Sequence, residues 1–167
     1  MTISMPPGDV YQSAWQYALS LLGRRAYSRA ELLAKLEEKG FPGDVGRHVA
    51  ARLVDYGYLA DEEIARREAE RCFLGKGLGP YRVELRLRQR GISPELIAGT
   101  LAKYRAAEKE LCLKQARKKL AALPSGLAPA QVKARVGGYL ARKGFSTATI
   151  EWCLEQVVGP EGVTGTP

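Results

Sequence analysis

The chain has 167 residues with a net charge of +8, and its 46% hydrophobic content suffices for a packed core, which excludes a disordered chain and allows one domain or two very small ones. No apolar run approaches the roughly eighteen residues that span a bilayer, and Met-Thr-Ile-Ser-Met-Pro-Pro-Gly lacks the basic flank and apolar stretch of a secretory signal. Cys72, Cys112 and Cys153 form neither a CxxC pair nor an even disulfide set, so a reduced, cytoplasmic protein with no membrane partner is expected.

Trp15, Ala18, Leu19 and Leu22 follow the i, i+3, i+4, i+7 stripe of an amphipathic helix. Ser28, with Glu31 three residues on, predicts the capped start of a second helix, carried by Leu32, Leu33 and Leu36 and ended by Gly40. Val45, Val49 and Leu53 mark a third, stopping near Gly57. Asp61 is expected to cap a fourth, with Ile64, Ala65, Ala69 and Cys72 on one side and Glu62 and Glu63 in the dipole-favoured first turn. After Gly75–Pro80 breaks the chain, Val83 and Leu87 carry a fifth helix, and Leu96, Ile97, Leu101 and Tyr104 a sixth. Leu113, Ala116, Leu120 and Leu123 predict a seventh helix, Val132, Val136 and Leu140 an eighth, and Ile150, Leu154 and Val157 a ninth. No stretch alternates with the period of a strand. The fold class is all-α.

Lys39-Gly40-Phe41, Arg90-Gly91-Ile92 and Lys143-Gly144-Phe145 recur at steps of 51 and 53 residues. In the same register Leu36, Leu87 and Leu140 coincide, as do Leu32, Val83 and Val136. The expectation is three tandem three-helix, helix-turn-helix-like repeats at 11–59, 60–105 and 106–158, with flexible tails at 1–10 and 159–167. Tandem copies stabilise one another by stacking, and helices about 10 Å across in series suggest an elongated, curved module.

The charge surplus grows along the chain, from +1 in residues 1–60 to +3 in 61–105 and +4 in 106–167. A basic protein of this kind concentrates near polyanions. In repeat register the second helices align Glu31, Arg82 and Arg135, then Lys35, Arg86 and Tyr139, then Lys39, Arg90 and Lys143, four residues apart and so on one face. Arg66, Arg67 and Arg71 add charge on the preceding helix. A single Lys or Arg reads as solvated surface; a stripe recurring across repeats reads as a binding face, whose hallmark is affinity lost steeply with salt.

No motif carries chemistry. Gly75-Lys76-Gly77-Leu78-Gly79-Pro80 lacks the Lys-Ser/Thr pair and preceding strand of a phosphate loop, and reads as a connector into a helix begun by Pro80. His48, the sole histidine, has no triad partner nearby, and one His without a cysteine pair makes a zinc site improbable. Cys72 and Cys153 share apolar stripes and read as core. A binding protein is expected, with no catalytic residue, metal or cofactor.

The stretch Gly57-Tyr58-Leu59-Ala60-Asp61-Glu62-Glu63-Ile64-Ala65, then Arg71, Gly77-Leu78-Gly79-Pro80-Tyr81-Arg82-Val83 and Arg90-Gly91-Ile92, resembles the RecX family. So does the opening pattern of Ala18-Leu19, Leu22, Arg24-Arg25, Ser28, Glu31-Leu32, Leu36 and Lys39-Gly40-Phe41. The likeness runs from about residue 13 to 157, with the central repeat carrying the most specific residues and the third diverged. Ala60 stands where the family commonly has the first acid of a Leu-Asp-Asp run, Arg86-Leu87 replaces its usual Glu-Leu, and Ile64 a frequent Phe.

The resemblance implies a regulator that binds RecA and its filament on single-stranded DNA, blocks filament extension and suppresses ATP hydrolysis, strand exchange and coprotease activity. Some members also bind DNA directly. Candidate contact residues are Tyr58, Arg66, Arg67, Arg71, Lys76, Tyr81, Arg82, Arg86, Arg90, Arg135 and Lys143. Tyr58 reads equally as core. A monomer is expected, and Arg82→Glu with Arg86→Glu is expected to weaken RecA inhibition while keeping helicity. The competing reading is a basic helical DNA-binding protein acting without RecA. The absence of Asn and the few Gln argue against base readout but not against phosphate contact.

Overall fold

The glycine punctuation of the sequence becomes the skeleton of the fold. The computed structural model describes residues 7–159 and contains, among those residues, nine α-helices and no strand. They are α1 (Pro7–Leu22), α2 (Arg29–Glu38), α3 (Gly43–Asp55), α4 (Asp61–Glu70), α5 (Pro80–Gln89), α6 (Pro94–Ala106), α7 (Glu108–Ala121), α8 (Pro129–Lys143) and α9 (Thr147–Val158). Because α1 begins at Pro7, residues 7–10 of the expected tail are helical. The rest of that tail, and residues 160–167 of the other, lie outside the described residues.

Each second helix ends on a left-handed glycine: Gly40 at φ +93°, Gly91 at +69° and Gly144 at +86°. That backbone turns the chain sharply into the third helix and strains any residue with a Cβ. Ser28 caps α2 as expected, its hydroxyl accepting from Glu31 N at 3.1 Å while Ser28 N donates to Glu31 Oε2 at 2.9 Å. Asp61 does not cap α4. It is the first residue of that helix, and its Oδ1 instead accepts from Arg29 N of the preceding repeat at 2.8 Å. Beyond α4 the chain continues as a π-helical turn, Arg71–Gly75. Within that turn the consecutive Cys72 and Phe73 are both buried.

Three hydrophobic cores follow in series. The first gathers Ala14, Ala18, Leu21, Leu32, Leu36, Val49 and Leu53; α1 thus turns Ala14 and Leu21 inward and leaves Leu19 at its edge. The second holds Ile64, Cys72, Phe73, Val83, Leu87, Ile97 and Leu101, with Phe73 packed on Tyr104 at 4.6 Å between ring centres. The third holds Cys112, Ala116, Val132, Val136, Leu140, Phe145 and Cys153. The register leucines Leu36, Leu87 and Leu140 are all buried. In each repeat the third helix packs against both of the others, and α6 meets α7 at the boundary between the last two repeats. The protein is an all-α repeat module, and small cores of this kind lean on their neighbours.

Candidate functional site

The repeats meet through the ends of their second helices. At the first joint the α5 carbonyl of Arg90 accepts from Ser28 Oγ, the N-cap of α2, at 2.5 Å. At the second joint the α8 carbonyl of Lys143 accepts from Gly79 N, the N-cap position of α5, at 2.8 Å, and Gly144 O accepts from Tyr81 N at 3.2 Å. The C-terminus of one helix thus satisfies orphan donors at the N-terminus of the next, and the dipoles of α8, α5 and α2 run head to tail. The three register trios become neighbours end to end. Arg90, last of the α5 trio, bonds Glu31, first of the α2 trio, at 2.8 and 3.2 Å. Arg82, first of the α5 trio, lies against Gly144, next to Lys143, which closes the α8 trio.

The structure sorts the candidate residues. Arg82 and Arg135 are exposed and make no ion pair among the described residues. Tyr81, 69% exposed, stands beside Arg82 on α5. Tyr58 is 59% exposed and is not core; the buried neighbour is Leu59. Lys76 is exposed, and its carbonyl accepts from Lys143 Nζ at 2.7 Å, tying the Gly-rich connector to α8. Arg66 and Arg67 lie apart from the others, held on α4 by Glu63 and Glu70 at 2.5–3.0 Å. Bonds from both arginines draw the Glu63 carboxyl down to about 2.

Arg71, Arg86 and Arg90 do converge, in a cleft between the first two repeats that is also lined by Arg25, Glu68 and Gln89. Its floor is the buried Glu68. Arg71 Nη2 lies 2.5 Å from one of its carboxylate oxygens and Arg86 Nη1 3.6 Å from the other, which also accepts from Cys72 Sγ at 3.3 Å. Burial alone would raise the Glu68 carboxyl, but the Arg71 and Cys72 bonds and both guanidinium charges hold it below the usual carboxylate range. Glu31 is likewise pushed up by burial and pulled down further by Arg90, the Ser28 N–H and Arg25. Arg86 is therefore a counter-charge to a buried carboxylate. Arg86→Glu would place two like charges together there, so that exchange cannot separate folding from binding.

Sequence reasoning missed Arg25, Glu68 and Gln89. Glu68 carried a signal: it falls four residues after Ile64 and four before Cys72, on the apolar face of α4, where an acid needs partners. Arg25 sits before α2 with its guanidinium 3.7 Å over the Tyr27 ring, a placement no helical period announces. Among the described residues no three His, Cys, Asp or Glu side chains group as metal ligands, and no helix is long and apolar enough to cross a membrane.

Fold and surface together define a basic helical-repeat module whose exposed charges follow its joined second helices. Models of the first and third three-helix domains of RecX match residues 14–53 and 107–154. The regulatory protein RecX of Mycobacterium sp. strain KMS is 35% identical over 139 residues, covering 81% of this chain and 76% of that protein. Regulatory protein RecX of Chlorobaculum tepidum is 34% identical over 149 residues, covering 89% and 91%. The crystal structure of RecX from Lactobacillus salivarius superposes with a TM-score of 0.80 at 21% identity, over 89% of this chain and 97% of that one, and so shares its fold. The chain belongs to the RecX family. Its third repeat, expected to be diverged, is matched by the family's own third-domain model.

Proposed function

We propose that the chain regulates RecA. It binds the RecA filament on single-stranded DNA as a cytoplasmic monomer and inhibits filament extension, ATP hydrolysis, strand exchange and coprotease activity. The observation that carries this reading is the line of α8, α5 and α2, whose register positions meet at both joints and present Arg82, Tyr81 and Arg135 to solvent, on a chain of the RecX family. A basic line extended over successive repeats suits a partner that is itself extended and repeating.

The test adds the protein, well below one copy per RecA, to filaments preformed on single-stranded DNA and follows ATP hydrolysis, with RecA omitted as a control. Hydrolysis is expected to fall. Arg82→Glu with Arg135→Glu reverses two exposed charges that make no ion pair among the described residues, and should weaken inhibition by about tenfold or more while helicity stays. Undiminished hydrolysis with the parent protein removes RecA from the account.

A second reading, DNA binding without RecA, is favoured by one observation. Lys119, Arg135 and Arg142 line a groove on the third repeat and make no ion pair among the described residues. Binding to single-stranded DNA in the absence of RecA, lost steeply with salt, would support it.

A further inference from the structure

The cleft between the first two repeats holds more positive charge than its own carboxylates neutralise. Four guanidinium groups, Arg25, Arg71, Arg86 and Arg90, face it across about 470 Å³, against the two carboxylates Glu31 and Glu68. A third carboxylate, Asp61, also acts on Arg90, which leaves a smaller positive excess. The arginines approach from three elements: the connector before α2, the π-turn after α4, and α5.

Three of the four guanidiniums are held by hydrogen bonds. Arg25 lies over the Tyr27 ring and donates to Ala26 O at 3.2 Å; Arg90 donates to the same carbonyl at 3.0 Å and to Glu31. Arg71 is fixed by Glu68. Arg86 makes no hydrogen bond among the described residues, and its five N–H donors face only a carboxylate oxygen at 3.6 Å. Arg86 therefore keeps donors that an oxygen-rich anion entering the cleft can take from water, while its charge still faces Glu68.

We propose that this cleft binds a phosphoryl group, either a free one such as pyrophosphate or the terminal phosphate of a nucleic-acid strand. A tetrahedral phosphate accepts from guanidiniums arriving in several directions at once, which a planar carboxylate does not, and its negative charge complements the arginine-rich walls. Arg25 and Ala26 belong to the first repeat and the other walls to the second, so the bound group also ties the two repeats together. The inference goes beyond the RecA reading and stands or falls without it.

Pyrophosphate titrated calorimetrically into the full chain at low ionic strength reads the proposal directly, with no RecA present. Saturable binding at one site per chain is expected, weakened about tenfold by Arg86→Gln and by Arg25→Gln, the scale of one lost charge-assisted contact. Arg25 is half exposed and is not a counter-charge to Glu68, so its exchange keeps the fold if Arg86→Gln does not. Arg135→Gln, on α8, should leave the affinity within twofold. A 5′-phosphorylated oligonucleotide binding more tightly than its 5′-hydroxyl twin would assign the site to strand ends, and equal binding of the two would assign it to the free anion; both keep the phosphoryl site. Absence of saturable pyrophosphate binding overturns the proposal. So do equal losses in all three variants, and wild-type affinity in the Arg25→Gln variant.

Discussion

The two joints perform the same task with opposite materials. At the first, side chains do it: Ser28 Oγ reaches Arg90 O, Asp61 Oδ1 receives Arg29 N, and Arg90 grips Glu31 and Ala26 O. At the second, backbone meets backbone. Gly79 N and Tyr81 N donate to Lys143 O and Gly144 O, and the approach is close because Gly79 and Gly144 carry no side chain. A joint made of charges responds to pH, salt and anions. One made mainly of close backbone approach, with Lys143 Nζ on Lys76 O its one described charged contact, responds less to these and more to a single added methyl group.

Gly79→Ala should therefore have the largest effect. Its φ of −71° suits alanine, so the backbone itself bears no strain. The added Cβ would fall against the carbonyl oxygen of Gly144 and 2.6 Å from Phe145 N, backbone atoms that cannot swing aside. Overpacking of this kind costs about 1–3 kcal/mol, and more where the neighbour is rigid. Urea unfolding should show a lowered midpoint. Gly40→Ala is the reference: φ is +93° there, but a Cβ meets nothing within 4 Å, so only the left-handed backbone cost of about 1–2 kcal/mol remains. A Gly79→Ala variant as stable as the parent would show that the second joint is not held by close backbone approach.

At the first joint, a double-mutant cycle with Glu31→Gln and Arg90→Gln should give a coupling of about 1–2 kcal/mol. The pair is bidentate and only 22–23% exposed, which lifts it above a surface salt bridge. Raising the salt should reduce the coupling while leaving the Gly79→Ala deficit unchanged. Coupling near zero would mean that Ser28 and Asp61 hold this joint alone.

Sequence patterning anticipated nine helices and three repeats because each depends on local signals: an apolar period of 3.6, the Ser28–Glu31 capping box and the recurring Gly turns. The joints were far less legible. The Gly79-Pro80 segment read as a connector, since nothing local says that it will lie on Gly144, sixty-five residues further on. Asp61 read as a helix cap because the sequence cannot show that a donor thirty-two residues earlier, Arg29 N, competes for its oxygen. The basic stripe was legible as a period. Its division into exposed arginines (Arg82, Arg135), arginines spent on Glu63 and Glu70 (Arg66, Arg67) and arginines gathered around Glu31 and Glu68 depends on tertiary neighbours.

The smallest effect distinguishes the joints by pH alone. The carboxyl of Glu31 sits below its ordinary 4.5 in the folded chain, because the Arg90 and Ser28 bonds outweigh the opposing effect of burial. In the window between the folded value and 4.5, the unfolded chain binds more protons than the folded one, so stability rises with pH there. The contribution is complete above about 4.5 and is lost as pH falls through the folded value. Protonation removes the charge that strengthens the Ser28 N–H bond and pairs with Arg90, whereas Gly79 N–H keeps a carbonyl that does not titrate. Amide exchange, corrected for its intrinsic pH dependence, should show Ser28 losing protection relative to Gly79 between pH 7 and pH 3. In Glu31→Gln the amide oxygen still accepts but no longer titrates, so that relative loss should vanish. If Gly79 loses protection in step with Ser28, the two joints open as one unit, and their different chemistry has no separate mechanical consequence.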